Sequence, residues 1–243
     1  MLHQATISCC TSNLNPPVKN FMAEKIIVIA THPDDETLGC GGTLLRYKSL
    51  GHEIYWLIMT SMHADQGFSE EVIDRRLQEI STVKKMYDFD GVYSLDFPAS
   101  KLSEIKESLL ISKIYEVFKK IQPTQIILPY FQDVHSDHRH AFSAVYSCTK
   151  IFRFPSISKI MMMETLSETE FCNSATGAFS PNTFVDVSGF MEKKIKILNT
   201  YHGEIGTHPF PRSERSVFAL ATLRGATAGV EYAEAYMLLK EII

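Results

Sequence analysis

The chain has 243 residues, 45% of them hydrophobic, which is enough for a sizeable buried core and gives one domain as the starting expectation. Its 24 Lys and Arg face 28 Asp and Glu, a formal net charge of −4 at pH 7, and no basic run is long enough to follow a nucleic-acid backbone. No apolar run approaches the roughly 20 residues of a membrane span. Five cysteines (Cys9, Cys10, Cys40, Cys148 and Cys172) form no CxxC pair, which points to reduced thiols in a cytoplasmic protein rather than to a disulfide framework or a cysteine zinc site.

Residues 1–22 have neither the basic start nor the apolar stretch of a signal peptide, and a flexible extension is expected there, before one domain over 23–243. Lys25–Ala30 (KIIVIA) is a short, continuous Ile/Val run, the pattern of a parallel strand buried on both faces. A helix is expected from Leu38 to Leu50 and a strand from Glu53 to Thr60. A long helix follows over Glu70–Tyr87, with Ile73, Leu77, Ile80, Val83 and Met86 on one face. A strand at Val92–Phe97, a helix at Leu102–Ile121, a strand at Gln125–Pro129 and a helix at His138–Thr149 continue the alternation. Later segments read as strands at Lys159–Met163 and Thr183–Val187 and helices at Ser188–Thr200 and Val230–Glu241.

Repeated strand–helix alternation predicts an α/β fold, a Rossmann-like three-layer sandwich with a mostly parallel central sheet. Such sheets bind ligands at the carboxyl ends of their strands. Two polar motifs begin there: Thr31-His32-Pro33-Asp34-Asp35-Glu36 after the first strand, and His135-Ser136-Asp137-His138-Arg139-His140 beyond the Gln125–Pro129 strand. They can therefore meet in space.

Imidazoles and carboxylates are zinc ligands, and a catalytic zinc commonly takes three protein ligands and leaves a position for water. Pro33 fixes its own φ and biases His32 to an extended conformation. Asp34 and Asp35, being consecutive, do not readily point the same way, so one can bind metal while the other takes a proton; composition does not say which. Each motif alone also reads as an acidic helix start or an exposed polar loop, and it is the pair, each placed after a buried strand, that favours a site. Gly39-Cys40-Gly41-Gly42 is not a dinucleotide fingerprint, because it follows the acidic DDE rather than forming the strand-to-helix turn; its glycines are expected to let the helix pack closely on the sheet.

With these motifs the sequence resembles the LmbE-like (PIG-L) family of zinc-dependent N-deacetylases. The family's HPDDE signature corresponds to His32–Glu36 and its H-x-D-H signature to His135–His138; LGCGGTL, Arg76-x-x-Glu79 and the ending Gly229-x-x-Tyr232-Ala233-Glu234-Ala235-Tyr236 also match, so that the likeness runs from about Glu24 to the end of the chain. Thr31 replaces the usual small residue. The resemblance implies that His32, Asp35 and His138 bind Zn²⁺, with Fe²⁺ the other ion such ligands admit. It implies that Asp34 is the general base towards a zinc-activated water, that His135 stabilises the oxyanion with Asp137 orienting its ring, and that Arg76 contacts substrate. Glu36 is expected to support the site or the helix start rather than to bind metal.

The implied reaction removes an N-acetyl group from an N-acetylglucosamine-type amino sugar, free or nucleotide-linked, in a protein free to form homo-oligomers. An amidase acting on a larger amino-sugar conjugate and a non-catalytic metal-containing carbohydrate-binding protein are the rivals, together with an iron(II) oxygenase, whose ligand set is similar but whose usual scaffold is a β-barrel. His140, His202 and His208 are expected to lie outside the chemistry.

Overall fold

A computed structural model describes residues 23–172, 175 and 177–243; the extension expected over 1–22 lies outside the described residues. Seven strands form one sheet in the order β3-β2-β1-β4-β5-β7-β6. They are β1 (Lys25–Ala30), β2 (Glu53–Ser61), β3 (Gly91–Pro98), β4 (Gln125–Leu128), β5 (Lys159–Met163), β6 (Thr183–Asp186) and β7 (Ala233–Glu241). The first five pair in parallel, and β7 runs antiparallel to both β5 and β6.

The helices are α1 (Asp35–Ser49), α2 (Glu70–Tyr87), α3 (Glu107–Ile121), α4 (Ser136–Ser147), α5 (Met191–Leu198) and α6 (Glu214–Ala228). Successive strand side chains point to opposite faces, and β1 shows what that does to a continuous apolar run. Ile27 and Ile29 pack with α3 and α4, through Leu110, Ile114, Phe118, Ala141 and Val145. Ile26, Val28 and Ala30 pack with α1, α2 and α5, through Cys40, Leu44, Val83, Tyr87 and Ile197. All five of these strand residues are buried, which is why the segment carries no polar alternation.

From β1 the chain winds outward through β2 and β3, and β4 then returns to the other side of β1. The carboxyl ends of β1 and β4 therefore flank the point where the winding reverses, the crevice where open α/β sheets bind ligands. The glycines of α1 keep that helix against the sheet. A Cβ on Gly39 would lie 2.6 Å from Met163 Sδ, and one on Gly42 2.7 Å from Val187 Cβ.

The expected helix at Val230–Glu241 is instead strand β7, and the helix of this region, α6, lies before it and was not anticipated. AEAYMLLKE is rich in helix formers, but Ala233, Glu234, Ala235 and Tyr236 are buried between β5 and β6, and sheet pairing overrides local propensity. α6 carries little periodic signal because its buried stripe is made of small residues, Val217, Ala221 and Gly225. Its ends are signalled all the same: the Ser213 side chain accepts a hydrogen bond from the Ser216 N–H, and Gly229, at φ 75°, closes the helix in the left-handed conformation. The region expected as one helix over Leu102–Ile121 divides into a short 3₁₀ turn at Leu102–Glu104 and α3. Both motif helices start earlier than expected, at Asp35 and Ser136, which puts site residues in their first turns.

Candidate active site

The turn leaving β1 is held by its own side chains. The His32 backbone N–H donates to Asp35 Oδ2 (2.8 Å), and the Asp34 N–H donates to Glu36 Oε2 (3.1 Å). Asp34 sits at φ 142°, ψ −28°, a backbone conformation that L-residues rarely adopt. This strained residue separates the directions taken by the two adjacent aspartates.

At the neighbouring strand end, His135 caps α4. Its Nδ1 accepts a hydrogen bond from the Asp137 N–H at 3.1 Å, so a neutral ring carries its proton on Nε2. Burial, followed by the neighbouring His32 and His138, lowers the His135 pKa and favours that neutral form.

His32, Asp35 and His138 bring one ligand atom each into a cluster with mutual separations under 4.8 Å. His138 Nε2 is 3.3 Å from Asp35 Oδ2, and His32 Nδ1 is 3.9 Å from the same oxygen. Behind each imidazole stands another carboxylate: Asp133 Oδ2 is 2.8 Å from His138 Nδ1, and Asp137 Oδ2 is 3.3 Å from His32 Nε2. Carboxylates in that position fix the tautomer and orientation of metal-binding histidines. Asp133 is itself held by the Thr169 hydroxyl at 2.7 Å.

A metal fits this arrangement, because His138 Nε2 is buried without a hydrogen-bond partner among the described residues. Burial pushes the Asp35 carboxyl up, but His138 and His32 outweigh it and hold the group well below the usual carboxylate range. A second grouping, His32 with His135 and Asp137, has comparable spacing. It is the poorer ligand set, since the Asp137 carboxylate already accepts from the Ser100 N–H (2.6 Å) and the Leu102 N–H (3.0 Å).

The Asp137 carboxylate lies on His32 and accepts from two backbone amides, and the Asp137 backbone N–H donates to His135 Nδ1.

Asp34 belongs to neither metal grouping and lines a cleft of about 290 Å³ together with His32, Asp35, His135 and Arg76. Burial, reinforced by the charges of Asp35 and Glu204, raises its pKa well above the ordinary value, while Arg212 opposes the rise. Arg212 donates to Asp34 Oδ2 (3.2 Å) and pairs with Glu204 Oε2 (3.1 Å).

Arg76 also lines the cleft, but its guanidinium is engaged by the Pro33 carbonyl (3.0 Å), Glu79 (3.2 Å) and Glu204. Its observed contacts brace the HPDDE turn from α2. Glu36 is buried against the Thr37 and Tyr201 hydroxyls, and burial pushes it up to about 7. His140, His202 and His208 are exposed and do not line the cleft.

The sequence reading missed Asp133, Glu204 and Arg212. Asp133 had a signal, an acid five residues before His138, whereas Glu204 and Arg212 lie in an unpatterned connection between α5 and α6.

An α/β sheet with a His/Asp cluster at its winding reversal defines the class: a protein with a crevice whose residues could hold a metal ion, and a further carboxylate, Asp34, beside them. The chain belongs to the family described as PIG-L: GlcNAc-PI de-N-acetylase, whose model matches residues 27–149 and so takes in both motifs. It is 26% identical over 242 residues to the diacetylchitobiose deacetylase of Thermococcus kodakarensis, covering 95% of this chain and 88% of that protein. The crystal structure of the conserved protein TT1542 from Thermus thermophilus has the same fold, with TM-score 0.73, 22% identity, and coverage of 91% of this chain and 97% of that one. So does GalB, a 4-carboxy-2-hydroxymuconate hydratase from Pseudomonas putida, with TM-score 0.69, 14% identity, and coverage of 90% and 98%. One fold therefore hosts more than one reaction, and function has to be argued from the site.

Proposed function

We propose that the chain is a metal-dependent hydrolase that removes the N-acetyl group from an amino sugar, with Zn²⁺ as its ion, held by His32, Asp35 and His138. The observation that carries this reading is Asp34, a buried carboxylate on the cleft wall beside the cluster yet outside it. A binding site would need the three ligands but not this group. The 26%-identical relative that deacetylates diacetylchitobiose supports the substrate class.

The ion, when bound, acts as a Lewis acid that lowers the pKa of water and draws charge from an acyl oxygen. Asp34 takes the proton as water adds to the acetamide carbon, and its raised pKa suits it to hold that proton. The Nε2–H of His135 donates to the oxygen as it gains negative charge. Asp34 then passes its proton to the sugar nitrogen as the C–N bond breaks, and acetate and a free amine leave. Arg212 and Arg76, joined through Glu204, hold Asp34 and its turn in place.

The free thiols of Cys40, Cys148 and Cys172 support a cytoplasmic setting, and none of the described helices is long and apolar enough to cross a membrane. The test is a mass-spectrometric screen of N-acetyl amino sugars with zinc-loaded protein. Loss of acetyl with stoichiometric acetate release is expected; absence of release across free, glycosylated and nucleotide-linked sugars overturns the reading.

A further inference from the structure

One buried charge pair stands outside the cleft and has no part in the chemistry above. It sits where α1 is broken. Cys40, at φ −147° and ψ 22°, is non-helical and divides α1 into a piece over 35–39 and a piece over 41–49. A regular helix would join the Gly42 N–H to the Leu38 carbonyl, four residues back. Here an ion pair stands between those two groups. Lys194 of α5 donates from Nζ to Leu38 O (2.9 Å) and to Glu234 Oε1 (2.7 Å). The same Oε1, from β7, accepts from the Gly42 N–H (2.8 Å). Glu234 Oε2 accepts from the Thr43 N–H (2.7 Å) and the Tyr236 hydroxyl (3.2 Å). This is a kink made by side chains inserted into the helix ladder.

Lys194 is 3% exposed and Glu234 5%. Burying an ion pair is a poor way to stabilise a fold, because desolvation offsets the attraction and apolar residues of similar volume serve as well. An apolar pair, however, would leave the Leu38 carbonyl and two amides at the break without these partners. The glycines of LGCGGTL make room for the charges. A Cβ on Gly41 would come 3.2 Å from Lys194 Cγ, and one on Gly42 would come 3.2 Å from Glu234 Oε1.

The short piece before the break carries part of the site. It begins at Asp35, which belongs to the His32/Asp35/His138 cluster, and includes Glu36, which holds the Asp34 N–H. So short a helical piece does not fix its own direction. The HPDDE turn holds one end, and Lys194 and Glu234 hold the other.

We propose that Lys194 and Glu234 are positioning residues of the metal site, holding the break in α1 so that Asp35 meets His32 and His138. The inference rests on the reading of that cluster as a zinc site.

The variants that test it are Lys194→Met, Glu234→Gln and the two together. Each single change leaves one buried charge without its partner and should lower Tm, measured with excess chelator so that bound metal does not contribute. The double variant removes both charges and should return Tm to within about 4 °C of the parent. Its zinc affinity, read by chelator competition, should nevertheless stay about 10–100-fold below the parent's, the range for losing groups that orient metal ligands. Recovery of affinity together with Tm would overturn the inference, because the pair would then act through stability alone. A double variant that does not fold would overturn it too, since the fold itself would then require the charges. Both outcomes leave the zinc reading standing. A parent protein that binds no zinc would sink that reading, and this inference with it.

Discussion

Asp34 should be a residue that the enzyme needs and the fold would be better without. Its φ of 142° is reached easily by glycine and at a cost by any other residue, of order 1–3 kcal/mol. Its carboxylate is also buried, with Asp35 and Glu204 raising its pKa. Against these costs stands the ion pair with Arg212, which is partly exposed and contributes about 1 kcal/mol or less. Asp34→Gly removes the strain and the buried acid together. It gives back about 0.5–1 kcal/mol through the greater freedom of glycine in the unfolded chain. The net is a gain of about 1 kcal/mol, which for a chain of this size raises Tm by roughly 2–4 °C.

Activity should move the other way. Loss of general acid–base assistance costs about 10²–10⁴ in rate, and both Asp34→Gly and Asp34→Asn should show it while retaining metal. Asp34→Asn keeps the strained backbone and should gain little in Tm. The assay is a thermal melt of the zinc-loaded variants by calorimetry, paired with acetate release from N-acetylglucosamine derivatives. A Tm for Asp34→Gly below that of the parent would refute the strain argument. Turnover of Asp34→Asn within tenfold of the parent would refute the base assignment.

His32→Ala, Asp35→Ala and His138→Ala should each lose metal by elemental analysis, and full retention in all three would remove the metal centre from this site. Asp133→Asn should weaken metal affinity by about 10–100-fold, because it stands behind His138 rather than in the ligand set; chelator competition reads this directly. His135→Ala should lower kcat by about 10²–10³ with metal content unchanged, the cost of one lost oxyanion donor; a metal-free product would make His135 a ligand instead. Glu36 has its carboxyl raised by burial from 4.5 to about 7, so the folded state holds a proton that the unfolded chain has released. Its contribution should therefore fall as pH rises from about 4.5 to about 7, and Glu36→Gln should flatten the Tm-versus-pH curve in that window; an unchanged slope would show that Glu36 is not the group responsible.

Parallel strands buried on both faces and long amphipathic helices are written in local composition, and the segments from β1 to α4 are accordingly readable in order. Beyond β5 that local code weakens. β7 is built from helix-forming residues and becomes a strand only because two sheet edges are there to pair with it. α6 hides its buried face in Val217, Ala221 and Gly225, whose small side chains give little contrast with its exposed positions. In both cases the deciding interaction is with a partner distant in sequence, which no window along the chain contains.

The site divides along the same line. The candidate site residues and their spacing are legible because His32 and Asp35 lie on one turn, and His135 and His138 on another, so each half of the constellation is a local pattern. What aims those groups is not local. Arg212 reaches Asp34 across 178 positions, and Arg76 reaches Glu204 across 128. The Asp137 carboxylate lies against His32, 105 positions away. A motif specifies which donors are present, whereas their division into metal ligand, proton carrier and support depends on which of them the fold has already paired. Asp137 is occupied by two amides, and Asp35 by one amide and the approach of two imidazoles. Asp34, tied on one oxygen to a partly exposed arginine and outside the His32/Asp35/His138 cluster, is the carboxylate of the HPDDE turn that the proposed mechanism uses to carry a proton.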